Sequence, residues 1–424
     1  MRVSARKKTI ILTISVLLCF LLGLSVVWSA ITASVTISST GQISSSSIIT
    51  AKSGSPTDVQ AAINTVHSMG GGTVYIPAGT WDWDTFTQVA PNSYSATVLI
   101  YGGVSLIGAG IGQTILKQTQ SVPATRAQFD MLAVDGRNGF QTQIAGISFQ
   151  GYTGYTNETA ESCGVDMDGA TDYRITNCSF DSFTNMAINA ENVGSGVNRG
   201  VIDHNVFSNS YKENTPPSGG WMWGYGVIVW DVTCTHWSNF ATILGQYAGA
   251  SDIAYIENNH FTQMRHAVDE SQNGYYVFRF NTVTNEIPEN FGSIDVHGVN
   301  GGRGCEAYNN TIIATPGYNG AQAVWLRGGW DTVFNNTFVN CSSGVSLYFE
   351  SAGDGHTGYN TTNDEFYDAV WDTYIWGNTM IGGGTVFSDN SGGVYTQNVD
   401  YFLYARQSYT PYTYPNPLTL QPIP

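Results

Sequence analysis

Asp295 and His297 stand two residues apart in Ser293-Ile294-Asp295-Val296-His297-Gly298, and Arg327 holds the place of His297 in Ala323-Val324-Trp325-Leu326-Arg327-Gly328. In an extended strand, residues two apart share a face. Asp295 and His297 therefore look the same way, and Arg327 joins them if the two segments stack in register. Asp269, in His266-Ala267-Val268-Asp269, supplies a second carboxylate at an equivalent place. An Asp can orient or charge-tune a His that takes up a proton. An Arg can neutralise the carboxylate of a uronic acid; as a base it would be unusual, because it stays protonated in proteins. Asp269 and Asp295 could instead serve as the acid/base pair of a glycoside hydrolase or hold Ca²⁺. Trp325 and Tyr348 offer flat surfaces for a sugar ring, and Asn189 and Glu350 complete the polar set. His67, His204, His236, His260 and His356 fall outside this pattern and read as structural or surface residues.

These residues need a scaffold that repeats, and the chain has one. An apolar strand, then Asn, one residue and another apolar residue recur, closing at Phe180, Phe207, Phe261, Val283, Ile312, Phe338 and Met380. The steps are 27, 54, 22, 29, 26 and 42 residues. Most are a single unit; 54 reads as two units of 27, and 42 as one unit plus an insertion near Tyr359–Trp371. Such a period, with strand-like segments and little helical periodicity, marks an all-β solenoid. An Asn at the same turn of every coil can bond its neighbours in a ladder. Six segments align behind the Asn turns: 186–191, 226–231, 266–271, 293–298, 323–328 and 344–350. Setting Val268, Ile294, Val296, Val324, Leu326, Val345 and Leu347 inside turns Asn189, Asp269, Asp295, His297, Trp325, Arg327, Tyr348 and Glu350 outward. Coils stack about 4.8 Å apart, so these side chains form one stripe. A second stripe, Glu257 and Arg279 with Glu306 displaced by two, reads as a structural ion-pair ladder.

The 424 residues carry a formal net charge of −16 and a pI near 4.6, which argues against a nucleic-acid partner. A solenoid grows by adding coils, so one long domain suffices. Arg2, Arg6, Lys7 and Lys8 precede an apolar run from Ile10 to about Ile31, read as a signal peptide or an uncleaved membrane anchor with its basic flank inside. Trp28 is bulky for a cleavage site near Ala33, which favours the anchor. Five cysteines lie beyond Cys19, an odd number without CxxC spacing, so they form neither a disulfide framework nor a zinc site. Glycosylation sequons start at Asn157, Asn177, Asn309, Asn335, Asn340 and Asn360, several of them within the ladder phrase. Val59, Ala62, Ile63 and Val66 give the segment from Pro56 one apolar helical face, with Thr57 or Asp58 as its cap and Gly70-Gly71-Gly72 at its end. A helix there can cover the open end of the first coil.

The stretch from Asp58 to Trp81 followed by Val98–Leu116, and then YIENNHF, YYVFRFNTV, SIDVHG, RGCEAYNNTI, WLRGG, FNNTF and PYTYPNPL, resembles the right-handed parallel β-helix proteins of the pectate lyase-like superfamily. The resemblance spans most of residues 57–418 and implies that fold, with substrate lying on the sheet that carries the outward stripe. The expected organisation is a signal or anchor over 1–33, a Ser/Thr-rich spacer over 34–55, the β-helix over 56–405 and a Pro/Tyr-rich tail over 406–424. The expected role is an extracellular or cell-surface, carbohydrate-active monomer: a polysaccharide lyase or glycoside hydrolase working along the groove. The alternative is a non-catalytic glycan-binding or envelope protein.

Overall fold

The computed structural model describes residues 32–37, 43–125, 127–137, 141–155, 160–192, 199–210, 224–231, 249–251, 253–271, 274–285, 292–297, 303–315, 321–349 and 369–424. Three sheets of 13, 10 and 11 strands run the length of the molecule. Apart from a pair of antiparallel contacts at its start, each strand pairs in parallel with its counterpart one coil away. This is a parallel β-helix, and the handedness rule for parallel crossovers makes it right-handed.

The recurring phrase is the corner between two of these sheets. Its closing residues stack in one column: Phe149, Phe180, Phe207, Phe261, Val283, Ile312, Phe338 and Met380 are successive register partners. The first four rings lie 4.4–5.1 Å apart and nearly parallel. Phe207 pairs directly with Phe261, so the 54-residue step is one coil enlarged by insertions, not two coils. Most of residues 216–250 lies outside the described residues, as does most of the insertion near Tyr359–Trp371.

Beside that column runs the Asn ladder. The amide N–H groups of Cys178, Asn205, Asn259, Asn281, Asn310 and Asn336 each donate to the Oδ1 of the Asn one coil on, at 2.9–3.0 Å. The Asn side-chain amides donate in turn to carbonyls of the preceding coil. Every buried polar group of the corner thus finds a partner, as a buried turn requires. The residue before each ladder Asn is left-handed, φ +54° to +65°. The position is not confined to glycine: it takes His204, Asn258, Phe280, Asn309, Asn335 and Gly377. The sequon residues Asn177, Asn309, Asn335 and Asn340 all adopt this conformation, which is a turn requirement in itself.

The helix spans Pro56–Ser68 and buries Val59, Ala62, Ile63 and Val66. Its cap is Ser55, whose hydroxyl accepts from the Asp58 amide, not Thr57 or Asp58. Gln60 fixes it to the first coil by exchanging two hydrogen bonds with the backbone of Leu99. At the other end the chain turns back along the outer face of the 13-stranded sheet. There Asn416 donates to Glu257 and the carbonyl of Gln421 accepts from Arg174. The tail seals the Glu257–Arg279 pair, whose side chains are wholly buried.

The interior is aliphatic and aromatic, and two carboxyls, Glu270 and Asp331, are set into it. Glu270 is the register partner of Val229, whose side chain lies in the core, and both Glu270 oxygens are buried without a hydrogen-bond partner among the described residues. Asp331, in line with the core residue Val333, accepts from the Cys305 amide and the Thr373 hydroxyl. Burial, then the neighbouring carboxyls, pushes Glu270 well above the usual carboxylate range, and burial pushes Asp331 up to about 7.

Candidate functional site

The site sheet is built from Met186–Asn192, Tyr225–Asp231, His266–Ser271, Gly292–Val296, Gln322–Leu326 and Ser343–Leu347. Val268, Ile294, Val324 and Val345 are register partners and fully buried. Alternation then directs Asp269, Asp295 and Trp325 outward. Pairing continues past the strand ends: His297 N–H donates to Glu270, Arg327 to Val296 and Tyr348 to Leu326. His297, Arg327 and Tyr348 therefore occupy one row on three successive coils.

Asp295 is the centre. Arg327 grips it with both prongs of its guanidinium: Nε donates to Oδ1 at 3.0 Å and a terminal nitrogen to Oδ2. Asp295 is completely buried, while the Arg327 side chain keeps 12% exposure. Burial would raise the Asp295 pKa, but Arg327, His266 and His297 outweigh it and hold the carboxyl down at about 2. Asp269 is driven the other way. Burial and then the charge on Asp295 push it well above its usual range, and one of its oxygens is buried without a partner among the described residues. The two neighbouring carboxyls are thus pushed in opposite directions, Asp295 toward the anion and Asp269 toward the acid.

His266 was not distinguished by sequence and lies buried beside Asp295. Its Nδ1 contacts the Gly292 carbonyl at 2.5 Å and its Nε2 lies 3.7 Å from Asp295 Oδ2. A carbonyl only accepts, so Nδ1 carries the proton and Nε2 the lone pair. The ring stacks on Tyr225, 5.2 Å between centroids, and burial lowers its pKa to about 3. On the other side of Arg327, Trp325 and Tyr348 form a tilted pair with centroids 5.0 Å apart, and the guanidinium sits 5.6 Å from the Trp325 ring.

The structure thus gathers Asp269, Asp295, Arg327, Trp325 and Tyr348 in one place, with His297 beside them. It does not leave the carboxylates open on a groove. Asp269 is 3% exposed and Asp295 0%, because their own neighbours cover them; Arg327, His297, Trp325 and Tyr348 are the partly exposed members. Asn189 belongs elsewhere. Its amide donates to Asp166 and Glu191, which together with Asp130, Asp168 and Asn92 form a separate buried carboxyl cluster three coils away. Glu350 lies outside the described residues. The calcium reading of Asp269 and Asp295 does not fit their geometry, because both oxygens of Asp295 are taken by the Arg327 guanidinium. Among the described residues no three His, Cys, Asp or Glu side chains converge on a metal position. Cys163, Cys178, Cys305 and Cys341 are buried free thiols. Among the described residues no helix is long and apolar enough to cross a membrane; residues 1–31, with the apolar run, lie outside them.

No family model matches the chain. A stretch of 61 residues, 14% of the chain, is 39% identical to the mannuronan C5-epimerase AlgE3 of Azotobacter vinelandii. A stretch of 59 residues is 39% identical to AlgE4 of the same organism. The chain spans only 3% and 10% of the lengths of these relatives. Among solved structures, it is similar to the tailspike protein of Escherichia coli bacteriophage HK620 in complex with a pentasaccharide, at 16% identity and a TM-score of 0.49, covering 79% of this chain and 56% of that one. It is also similar to the A-module of the Azotobacter vinelandii mannuronan C-5 epimerase AlgE6, at 15% identity and a TM-score of 0.44, covering 82% and 88%.

Proposed function

We propose that the chain acts on an anionic polysaccharide laid along the site sheet, and that it does so by moving a proton next to a sugar carboxylate. The observation that carries this reading is the Asp295–Arg327 pair. A buried carboxylate anchors a guanidinium by both nitrogens, so that its partly exposed edge meets a uronate in fixed orientation. A positive charge beside the sugar carboxylate stabilises the negative charge that develops when the adjacent C–H proton leaves. His297, on the preceding coil and in the same row, is the proton-transfer group; Trp325 and Tyr348 support a sugar ring. The short similarity to two mannuronan C5-epimerases supports a uronate polymer as the substrate.

A second reading, a glycan-binding protein without catalysis, is favoured by the titration pattern. Asp295 is held at about 2 and His266 at about 3, so neither exchanges a proton near neutrality as a general acid or base does. The two readings separate in one experiment. The purified protein is incubated with mannuronan, polyguluronate and polygalacturonate in deuterium oxide. Proton NMR reports epimerisation and solvent exchange at the carbon next to the carboxylate, absorbance reports unsaturated ends, and calorimetry reports binding. Turnover that falls about 10²–10⁴-fold in His297→Ala and as far in Arg327→Ala establishes the catalytic reading. Binding without turnover establishes the second. Neither binding nor turnover on any anionic polymer refutes both.

Two accessory assignments belong to this proposal. The 56–68 helix closes the first coil, because its buried face and Gln60 lie against that coil. The protein works outside the cytoplasm, secreted or anchored by the apolar run behind its basic flank.

A further inference from the structure

We infer that Gln322 is a positioning residue that fixes Trp325 and Tyr348 as a single sugar-stacking subsite, shared between the coil of Arg327 and the next. This rests on the polysaccharide reading above and adds a residue and a subsite to it. The Gln322 Oε1 accepts two hydrogen bonds at once, from Trp325 Nε1 at 2.8 Å and from the Tyr348 hydroxyl at 2.8 Å. Trp325 follows Gln322 by three positions on the same strand, while Tyr348 comes from the next coil. One acceptor therefore ties together two rings that the backbone alone would leave independent.

Three consequences follow from that geometry. An aromatic side chain on a solvated sheet has two rotatable bonds, and a single hydrogen bond to its polar end removes most of that freedom before a ligand arrives. Pre-ordering of this kind raises affinity because the ordering cost is already met. Second, the rings make a tilted pair, 47° between planes, so they meet a sugar as a shallow V with one apolar wall on each coil. Third, the guanidinium of Arg327 lies 5.6 Å from the Trp325 ring. A sugar resting on the rings thus lies within reach of the Arg327 guanidinium for its own carboxylate or that of an adjoining unit.

Gln322 need not touch the sugar. Its role depends on having an acceptor at Oε1, and this gives a discriminating set of variants. Gln322→Ala removes the acceptor. Gln322→Met keeps the length and bulk of the side chain without an acceptor and without an added charge. The readout is binding of a mannuronan tetrasaccharide by calorimetry and by quenching of tryptophan fluorescence, with thermal midpoints measured in parallel. The expected result is a loss of about tenfold or more in affinity for both Gln322→Ala and Gln322→Met, and a comparable loss for Trp325→Ala. If Gln322→Ala or Gln322→Met binds as wild type, the positioning role is wrong. If both Gln322→Ala and Trp325→Ala bind as wild type while Arg327→Ala does not, the subsite is wrong and the polysaccharide reading stands. If wild-type protein binds no anionic oligosaccharide, both fall together.

Discussion

Replacing Asn281 with Ala tests whether the Asn ladder stabilises the solenoid coil by coil. Asn281 Oδ1 accepts from the Asn259 backbone N–H at 2.9 Å and from the Asn259 side-chain amide at 3.1 Å. Its own amide donates to the Ile256 carbonyl at 2.9 Å and to Asn310 Oδ1 at 3.3 Å. The Asn259 side chain keeps the Ile202 carbonyl, and Asn310 Oδ1 keeps the Asn281 backbone N–H. The Asn259 backbone N–H has no alternative and is orphaned inside the corner. One buried orphan donor costs about 1–3 kcal/mol, and the lost bond to Ile256 adds about 1 kcal/mol. The expected total is about 2–4 kcal/mol, read as a lowered urea midpoint at unchanged slope. Asn390→Ala serves as control. Asn390 is exposed and its side chain makes one local bond, so its substitution stays within about 0.5 kcal/mol. A loss below about 0.5 kcal/mol for Asn281→Ala would show that water or backbone relaxation replaces the ladder, and that the repeat is kept for its turn geometry alone.

Asp331→Asn should flatten the pH dependence of stability. Burial raises the folded-state pKa of Asp331 to about 7, above its unfolded value, so the folded protein binds the proton more tightly. Stability therefore falls as pH rises through the window from about 4 to about 7, at up to about 1.4 kcal/mol per unit for this one group, and levels off above it. Thermal midpoints at pH 5, 6, 7 and 8 would count against this if wild type and variant ran parallel. Arg279→Ala should cost about 3–5 kcal/mol by leaving Glu257 buried without its cation. The same change removes the bonds to the carbonyls of Tyr412 and Thr413, so limited proteolysis should clip the tail faster than in wild type.

The parts of the fold that were legible in the sequence are those that a repeat must state again in every coil. The column ending at Phe180, Phe207 and Phe261 could be read because each coil needs the same corner. The inward set Val268, Ile294, Val324 and Val345 could be read because strand alternation leaves no choice of face. The 54-residue step was misread because residue spacing cannot separate two coils from one coil with insertions; the direct pairing of Phe207 with Phe261 decides it. His266 was missed for a related reason. It lies at the start of its strand, where no equivalent His marks the neighbouring coils, and its place beside Asp295 follows from register and not from spacing. The carboxyl cluster around Asn189 was missed because the alignment of strands began at Met186. Carried one coil back, it would have set Asp166 beside Asn189, their observed register.

Two of the ion pairs of this solenoid show why charge alone does not mark a site. Arg279–Glu257 and Arg327–Asp295 have the same chemistry, each with a fully buried carboxylate on an outward strand position. Arg279 is sealed: its remaining donors go to the Tyr308 hydroxyl and to two carbonyls of the tail, and its side chain has no exposure. A group in that setting can fasten the tail and do nothing else. Arg327 has no tail across it and keeps an exposed edge beside two tethered rings. Had the tail followed the site sheet instead of the opposite one, the two pairs would exchange roles. What distinguishes the proposed recognition site from a fastening here is therefore the path of the last residues of the chain, from Tyr409 to Gln421, which carry no residue of the site themselves.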